Sequence, residues 1–150
     1  IKADPTIHFI IAGQGPEEKR IQKMIRSLHL EGNVHMLGFR DDIVDVMKSL
    51  DLFLITSKTE GLGTIVLEAF AAGVPVVATR AGGIPEMVED TVTGLLAEPG
   101  DTESLKNATL CVLTDPLLKN TFVQNALTRV QDFSYQATAE KTLEIYKRSE

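Results

Sequence analysis

Short apolar runs alternate with longer amphipathic segments along the whole chain. The apolar runs, which we predict to be strands, cover residues 7–12, 34–37, 52–55, 74–78 and 94–97. The segments with apolar residues at helical spacing, which we predict to be helices, cover residues 17–28, 43–50, 64–72, 85–89, 105–113, 117–130 and 135–146. Short continuous apolar runs are typical of strands buried on both faces of a parallel sheet. The alternation therefore predicts an α/β fold, a Rossmann-like doubly wound parallel sheet with helices on both faces.

Two glutamates, Glu60 and Glu68, are separated by seven residues and bracket a glycine-rich turn after the third predicted strand. Gly61 and Gly63 lie on either side of Leu62 in this turn. Glycine lets a backbone approach a ligand closely and adopts dihedral angles that other residues avoid. The turn is therefore a candidate ligand-binding loop, although turn formation alone requires the same residues.

The helix predicted to follow this turn begins near Thr64, which we expect to cap it. Free backbone N–H groups near Thr64 and Ile65 would attract phosphate. Glu68 lies roughly 6 Å further along the helix axis, at about 1.5 Å per residue. This separation suits a carboxylate that binds a ribose while the helix start binds phosphates, and Glu60 would face the group on the far phosphate, for which a sugar is the candidate.

Other candidate ligand contacts lie at the ends of predicted strands. Gly13 and Gly15 follow the first strand as in a phosphate-binding loop, but Glu18 replaces the third glycine of a dinucleotide fingerprint, so a hydride-transfer cofactor is poorly supported. Arg40 and Ser57 also follow strands, at the edge where open α/β sheets bind ligands. Arg40 is equally well interpreted as a surface arginine, and Ser57 better as a loop cap than as a phosphate ligand.

Several other residues are better explained by a structural role than by ligand binding. Gly82 and Gly83 precede Pro85 and Glu86, which together are typical of a helix start. Cys111 lies in an apolar helical stretch and is predicted to be a buried core thiol. The histidines, which show no ligand spacing and are assigned no role, are His8, His29 and His35.

Composition narrows the functional classes. With 150 residues the chain is long enough for one domain with a substantial core. A net charge of −6 argues against a broad nucleic-acid surface. The single cysteine cannot form an internal disulfide, no Cys/His spacing indicates structural zinc, and no apolar run approaches the roughly 20 residues of a membrane span. Cytoplasmic chemistry is the default expectation.

Several sequence blocks occur together in the order found in one enzyme family. The spacing of Glu60 and Glu68, followed by the segment 69–78, is accompanied by blocks at residues 9–17, 34–42, 82–86, 94–101 and 133–146. With these blocks the chain resembles the retaining glycosyltransferases of family 4, also called glycosyl transferases group 1, which have the GT-B fold. The resemblance extends over nearly the whole chain.

The resemblance implies that residues 1–150 form a single nucleotide-sugar-binding domain, the C-terminal half of a GT-B enzyme that lacks its first strand and helix here. Residues 1–133 would be the α/β core, and residues 134–150 a helix that crosses toward the enzyme's own N-terminal domain. An exposed apolar strip on this helix, and self-association of the fragment, are expected. The fragment alone is expected to be inactive.

The resemblance also implies the reaction: transfer of a hexosyl unit from a UDP- or GDP-sugar, with retention of configuration and without a metal or other cofactor. Glu60 would orient the donor sugar in the catalytic site, and Glu68 would bind the ribose. The further implied donor contacts are Gly61, Leu62, Gly63, Thr64, Ile65, Gly13, Gly15, Arg40 and Ser57. No nucleic-acid partner is expected, and peripheral association with the cytoplasmic membrane face is left open.

Two competing interpretations belong to other classes. A receiver-like signalling module would alternate strands and helices similarly, but Asp41 and Asp42 follow the second visible strand and no aspartate ends the third. A non-catalytic GT-B half acting as a binding or regulatory subunit would tolerate decay of the motif, and here both glutamates are present. The base, the sugar and the acceptor are not specified by the sequence.

Overall fold

The computed structural model describes residues 4–148, which fall into two compact units that divide between Ile43 and Val44. The first unit contains β1 (Phe9–Ala12), α1 (Glu18–Ser27) and β2 (Val34–Gly38). The second contains α2 (Ile43–Lys48) apart from its first residue, β3 (Phe53–Ile55), α3 (Ile65–Ala71), β4 (Val76–Thr79), α4 (Ile84–Met87), β5 (Gly94–Ala97), α5 (Thr102–Thr114), α6 (Pro116–Arg129), a 3₁₀ turn (Val130–Phe133) and α7 (Tyr135–Arg148). The predicted alternation of strands and helices is confirmed.

The first unit is a parallel pair of strands with one crossover helix. β1 and β2 pair from Phe9 opposite Val34, with a shift in register between Ile11 and Ala12. The Asn33 side chain donates to the carbonyls of Pro5 and Ile7, both at 2.9 Å. These bonds fix the backbone before β1 against the start of β2.

The second unit is a parallel sheet in the order β3-β4-β5 with helices on both faces. β4 is central, and all four of its side chains are buried. Val76 and Ala78 pack with the residues of α3 and α4 in one core, whereas Val77 packs with α5 and α6 in a second core. This alternation explains why β4 is a continuous apolar run, and it confirms a doubly wound layer arrangement in this unit.

Within the described residues the strands form one two-stranded and one three-stranded parallel sheet. The structure corrects two expectations. Cys111 is exposed rather than buried, because the buried side of α5 runs through Leu105, Thr109 and Val112, and residue 111 is turned about 100° from residue 112 on a helix of 3.6 residues per turn. Thr64 takes the N-cap position of α3, but its side chain makes no capping hydrogen bond.

The last helix, α7, has exposed apolar side chains, as predicted: Tyr135, Leu143, Ile145 and Tyr146 are more than half exposed. Nowhere in residues 4–148 is there a helix both long enough and apolar enough to cross a membrane.

Candidate functional site

The loop between β3 and α3 holds the carboxylate of Glu60 in a defined orientation. Ser57 Oγ donates to Glu60 Oε2 at 2.9 Å, and the backbone N–H of Gly61 donates to Oε1 at 3.1 Å. The Glu60 side chain is half-buried. Because an ionised carboxylate has about four acceptor positions, these two bonds orient the group and leave acceptor capacity for a ligand hydroxyl.

The last residue of β4, Thr79, forms a hydrogen bond with the backbone of this loop. Thr79 is fully buried, and its hydroxyl donates to the Ser57 carbonyl at 2.6 Å. β4 is paired with β3 up to Ala78 opposite Ile55. The Thr79 bond therefore extends the connection between the two strands beyond the end of the ladder, to the residue whose side chain binds Glu60.

The loop after β4 packs against the same segment from another side. Gly83 N–H donates to the Gly61 carbonyl at 2.8 Å. Gly82 has a φ of +52°, and a Cβ built on it would lie 2.0 Å from the Glu60 carbonyl oxygen. Only glycine fits at position 82 this close to the Glu60 backbone. Gly82 and Gly83 therefore have a structural role, which is to support the backbone that carries Glu60.

Gly63 closes the turn before α3. Its φ of +72° confirms that it uses a backbone conformation open to glycine, and a Cβ there would lie 2.8 Å from Ile84 Cγ1. Gly61 has no positive φ and open space beside it. Gly63 therefore uses the conformational freedom of glycine, and Gly61 does not.

The start of α3 presents unused backbone donors. Val66 N–H donates to the Gly63 carbonyl at 3.0 Å, and Leu67 N–H donates to the Thr64 carbonyl at 2.9 Å. The N–H groups of Thr64 and Ile65 precede these bonds, where a helix has no internal acceptors for them. Thr64 is exposed and Ile65 is half-buried, so a ligand can approach this end of the helix.

Glu68 lies on the exposed side of α3. The opposite side, formed by Val66, Ala69 and Phe70, is buried in the core and fixes the rotation of the helix. The Glu68 carboxylate has no hydrogen-bond or ion-pair partner within residues 4–148. It is therefore available to a ligand, about 6 Å along the axis from Thr64 at 1.5 Å per residue.

The candidates in the first unit occupy two loops of that unit. Gly13, with a φ of +130°, donates its N–H to the Gly38 carbonyl at 2.7 Å. Gly15 accepts the N–H of Glu18 at 3.2 Å. A Cβ on either Gly13 or Gly15 would have no atom within 4 Å, so there is open space beside this loop.

Arg40 is engaged by a neighbour. Its Nε donates to Asp42 Oδ1 at 2.6 Å, and its NH2 group donates to the second oxygen of the same carboxylate. The bidentate hydrogen bonds that Arg40 donates to Asp42 raise the pKa of Arg40 and lower the pKa of Asp42. The guanidinium is thus held by a surface ion pair, as the alternative interpretation of Arg40 predicted.

The structure brings together Ser57, Glu60, Gly61 and Gly63 with the start of α3. Sequence reasoning missed Thr79, although a hydroxyl residue that ends a fully apolar strand is a signal that could have identified it. Among the side chains of residues 4–148, no three His, Cys, Asp or Glu lie together as a metal site would require.

Comparison with known proteins agrees in sequence and in structure. A model of the family described as "Glycosyl transferases group 1" matches residues 1–129. The chain is 35% identical over 139 residues to N-acetyl-alpha-D-glucosaminyl L-malate synthase from Bacillus anthracis. The aligned region covers 93% of this chain and 36% of that protein.

Solved structures of two proteins are similar over most of the chain. Anabaena Alr3699/HepE in complex with UDP superimposes with a TM-score of 0.88 at 33% identity, covering 97% of this chain and 42% of that one. Its complex with UDP-glucose gives a TM-score of 0.86. The C-terminal domain of a glycosyl transferase group 1 family protein (LpcC) from Francisella tularensis gives 0.79 at 26% identity, covering 87% of this chain and 71% of that domain. This chain spans less than half the length of the Bacillus and Anabaena proteins.

Proposed function

This chain belongs to the glycosyl transferases group 1 family and has the Rossmann-like fold of a GT-B half, and we propose that it is the donor-binding part of a retaining hexosyltransferase that uses a UDP- or GDP-sugar. The observation that carries the proposal is the arrangement at the β3–α3 turn. A braced carboxylate, two backbone N–H groups and a second carboxylate follow one another there, and the last three groups have no partner within residues 4–148. These groups suit a sugar, a diphosphate and a ribose in that order.

In this proposal the donor lies across the start of α3. The N–H groups of Leu62, Gly63, Thr64 and Ile65 donate to the phosphate oxygens, whereas the Gly61 N–H stays bonded to Glu60 beside them. Glu68 accepts hydrogen bonds from the ribose hydroxyls. Glu60 accepts a hydroxyl of the donor sugar with the acceptor capacity that Ser57 and Gly61 leave free. The Anabaena protein's complexes with UDP and UDP-glucose support a donor of this class.

Transfer breaks the bond between the anomeric carbon and the diphosphate oxygen and forms a bond from that carbon to an acceptor oxygen. The nucleoside diphosphate leaves, and the proton of the acceptor hydroxyl passes to the departing diphosphate oxygen or to water. Backbone donors directed at the leaving diphosphate stabilise the charge that develops on it, which is the electrostatic form of catalysis. We propose that the reaction proceeds in this way without a metal, with retention, and in the cytoplasm.

The remaining candidates have smaller parts in the proposal. The open loop of Gly13 and Gly15 contributes backbone to the donor phosphates or sugar. Arg40, together with its ion pair to Asp42, lies beside the base. The acceptor site and the residues that complete the cleft belong to the protein's own N-terminal domain, so this chain by itself binds donor weakly and does not turn over.

The test uses the protein in its natural full length, supplied with cell extract as a source of acceptor. UDP-glucose, UDP-N-acetylglucosamine and GDP-mannose are offered with and without EDTA, and release of UDP or GDP is measured. We expect one donor to be consumed equally in both conditions, and Glu60→Ala to slow release by about a hundredfold. The matched control is Glu103→Ala, which removes an exposed glutamate from the first turn of α5.

Proton NMR of the product gives the anomeric configuration, which we expect to be that of the donor. Inversion would refute the retaining assignment. If no donor is bound or consumed, the chain is instead a non-catalytic GT-B half.

A further inference from the structure

Thr79, the last residue of β4, donates its hydroxyl to the backbone of the loop that carries Glu60. The side chain is fully buried, and Oγ1 lies 2.6 Å from the Ser57 carbonyl oxygen. A hydroxyl group has one proton to donate. Because that proton is engaged with Ser57, Thr79 is placed to act on the backbone of the loop and not on a ligand.

Ser57 links Thr79 to Glu60 through two hydrogen bonds. The Ser57 backbone is fixed by Thr79, and the Ser57 hydroxyl donates to Glu60 Oε2 at 2.9 Å. Without the Thr79 hydroxyl the Ser57 carbonyl would lose its partner in a half-buried position, which favours a rotated backbone. A rotation at Ser57 moves Oγ, and with it one of the two internal donors that orient the Glu60 carboxylate.

We propose that Thr79 is a positioning residue for the transfer reaction: through Ser57 it holds the Glu60 carboxylate in the orientation that contacts the donor sugar. The inference rests on the proposed role of Glu60. Displacements of about 1 Å in a positioning group are enough to cost a hundredfold in rate, so a remote hydroxyl has a measurable effect. The effect is confined to the sugar, because the unused N–H groups at α3 and the Glu68 side chain take no part in this chain of bonds.

The test separates sugar binding from nucleotide binding. Calorimetry on the natural full-length protein gives the dissociation constants of UDP and UDP-glucose, or of GDP and GDP-mannose if the protein prefers guanosine. Their ratio reports the contribution of the sugar. Thr79→Val removes the hydroxyl at nearly constant volume and is expected to lower this contribution about fivefold or more, while the affinity for the bare nucleotide changes less than about twofold.

Two variants serve as matched controls. Thr79→Ser keeps a hydroxyl at the same position and is expected to restore the wild-type ratio. Thr109→Val removes another buried threonine hydroxyl, which donates to the Leu105 carbonyl at 2.8 Å within α5, and is expected to leave the ratio unchanged. A loss of sugar binding in Thr109→Val as large as in Thr79→Val would mean that general destabilisation explains the effect, and would overturn the inference.

Glu60→Ala distinguishes failure of the inference from failure of the proposed function. If Glu60→Ala leaves the ratio unchanged, the assigned role of Glu60 is wrong. If Glu60→Ala lowers the ratio but Thr79→Val does not, Thr79 has no positioning role. The inference predicts that Thr79→Val has no further effect in the Glu60→Ala background, because the two changes act through one network.

Should Thr79→Val fail to fold, Ser57→Ala removes the next bond of the network and is expected to give the same selective loss of sugar binding. An unchanged ratio in Ser57→Ala would then overturn the inference.

Discussion

Gly82→Ala is the perturbation for which the structure gives the most definite expectation. A methyl group at this position would lie 2.0 Å from the Glu60 carbonyl oxygen and 2.5 Å from the Gly61 carbonyl oxygen. Both neighbours are backbone atoms, so they can move only if the loop moves. The substitution therefore combines two costs: the strain of a positive φ and the displacement of the segment that carries Glu60.

The two costs are separated by comparison with Gly73→Ala. Gly73 has a φ of +72°, but a Cβ there would make only ordinary contact, 3.9 Å from Val123 Cγ1. A left-handed conformation costs a residue with a Cβ roughly 1–2 kcal/mol, and forcing a methyl group into a packed site adds about 1–3 kcal/mol. Gly73→Ala should therefore lower the free energy of unfolding by about 1–2 kcal/mol and Gly82→Ala by about 2–5 kcal/mol.

The assay is thermal unfolding followed by circular dichroism, in which 1 kcal/mol corresponds to about 2–4 °C for a chain of this length. Gly82→Ala is also expected to weaken UDP-glucose binding relative to UDP, since the loop that holds Glu60 must shift. Equal losses of Tm in Gly82→Ala and Gly73→Ala would refute the argument that the two loops are in close contact. If Gly82→Ala shows the larger loss of Tm but leaves sugar binding unchanged, the proposed link between Gly82 and the orientation of Glu60 is refuted.

Two further expectations concern α5. The N–H and hydroxyl of Ser104 donate to Asp101, which caps this helix, and lower the pKa of its carboxyl group. A lowered pKa stabilises the fold only while the group is ionised. The difference in Tm between wild type and Asp101→Ala, measured from pH 6 to pH 2.5, should therefore be present above about pH 4 and shrink as the pH falls through the lowered pKa. Exposed Cys111 should react with one equivalent of a thiol reagent in the folded protein without a change in circular dichroism, and protection of the thiol until denaturation would contradict the described orientation of α5.

The order of strands and helices could be predicted because every residue in the strands of the second unit is buried or half-buried. β4 shows why: its side chains alternate between two cores, so every position is apolar or, at Thr79, internally bonded. Helix bounds were predicted to within a few residues for the same reason, since α3 and α5 turn regular apolar faces to those cores. Periodicity alone could not assign Cys111, which has apolar sequence neighbours but faces away from the core.

The candidate site was less predictable, because its order depends on contacts between distant segments. Glu60 and Glu68 could be identified from their spacing around a turn. The support of Glu60 comes from Thr79 and Gly82, about twenty residues further along the chain, which approach it only after β3 and β4 pair. A hydroxyl residue at the end of an apolar strand singles out Thr79, but the local pattern does not identify Ser57 as its partner.

In the function proposed above, the β3–α3 turn and Glu68 bind a nucleoside diphosphate. The most direct measurement is calorimetric titration of the natural full-length protein with UDP, GDP and NAD, repeated on Glu68→Ala and on the control Glu103→Ala. We predict that UDP or GDP binds, that NAD does not, and that Glu68→Ala alone weakens binding about tenfold or more, equivalent to about 1.4 kcal/mol. Binding that is indifferent to Glu68, or absent from the intact protein, would contradict the account.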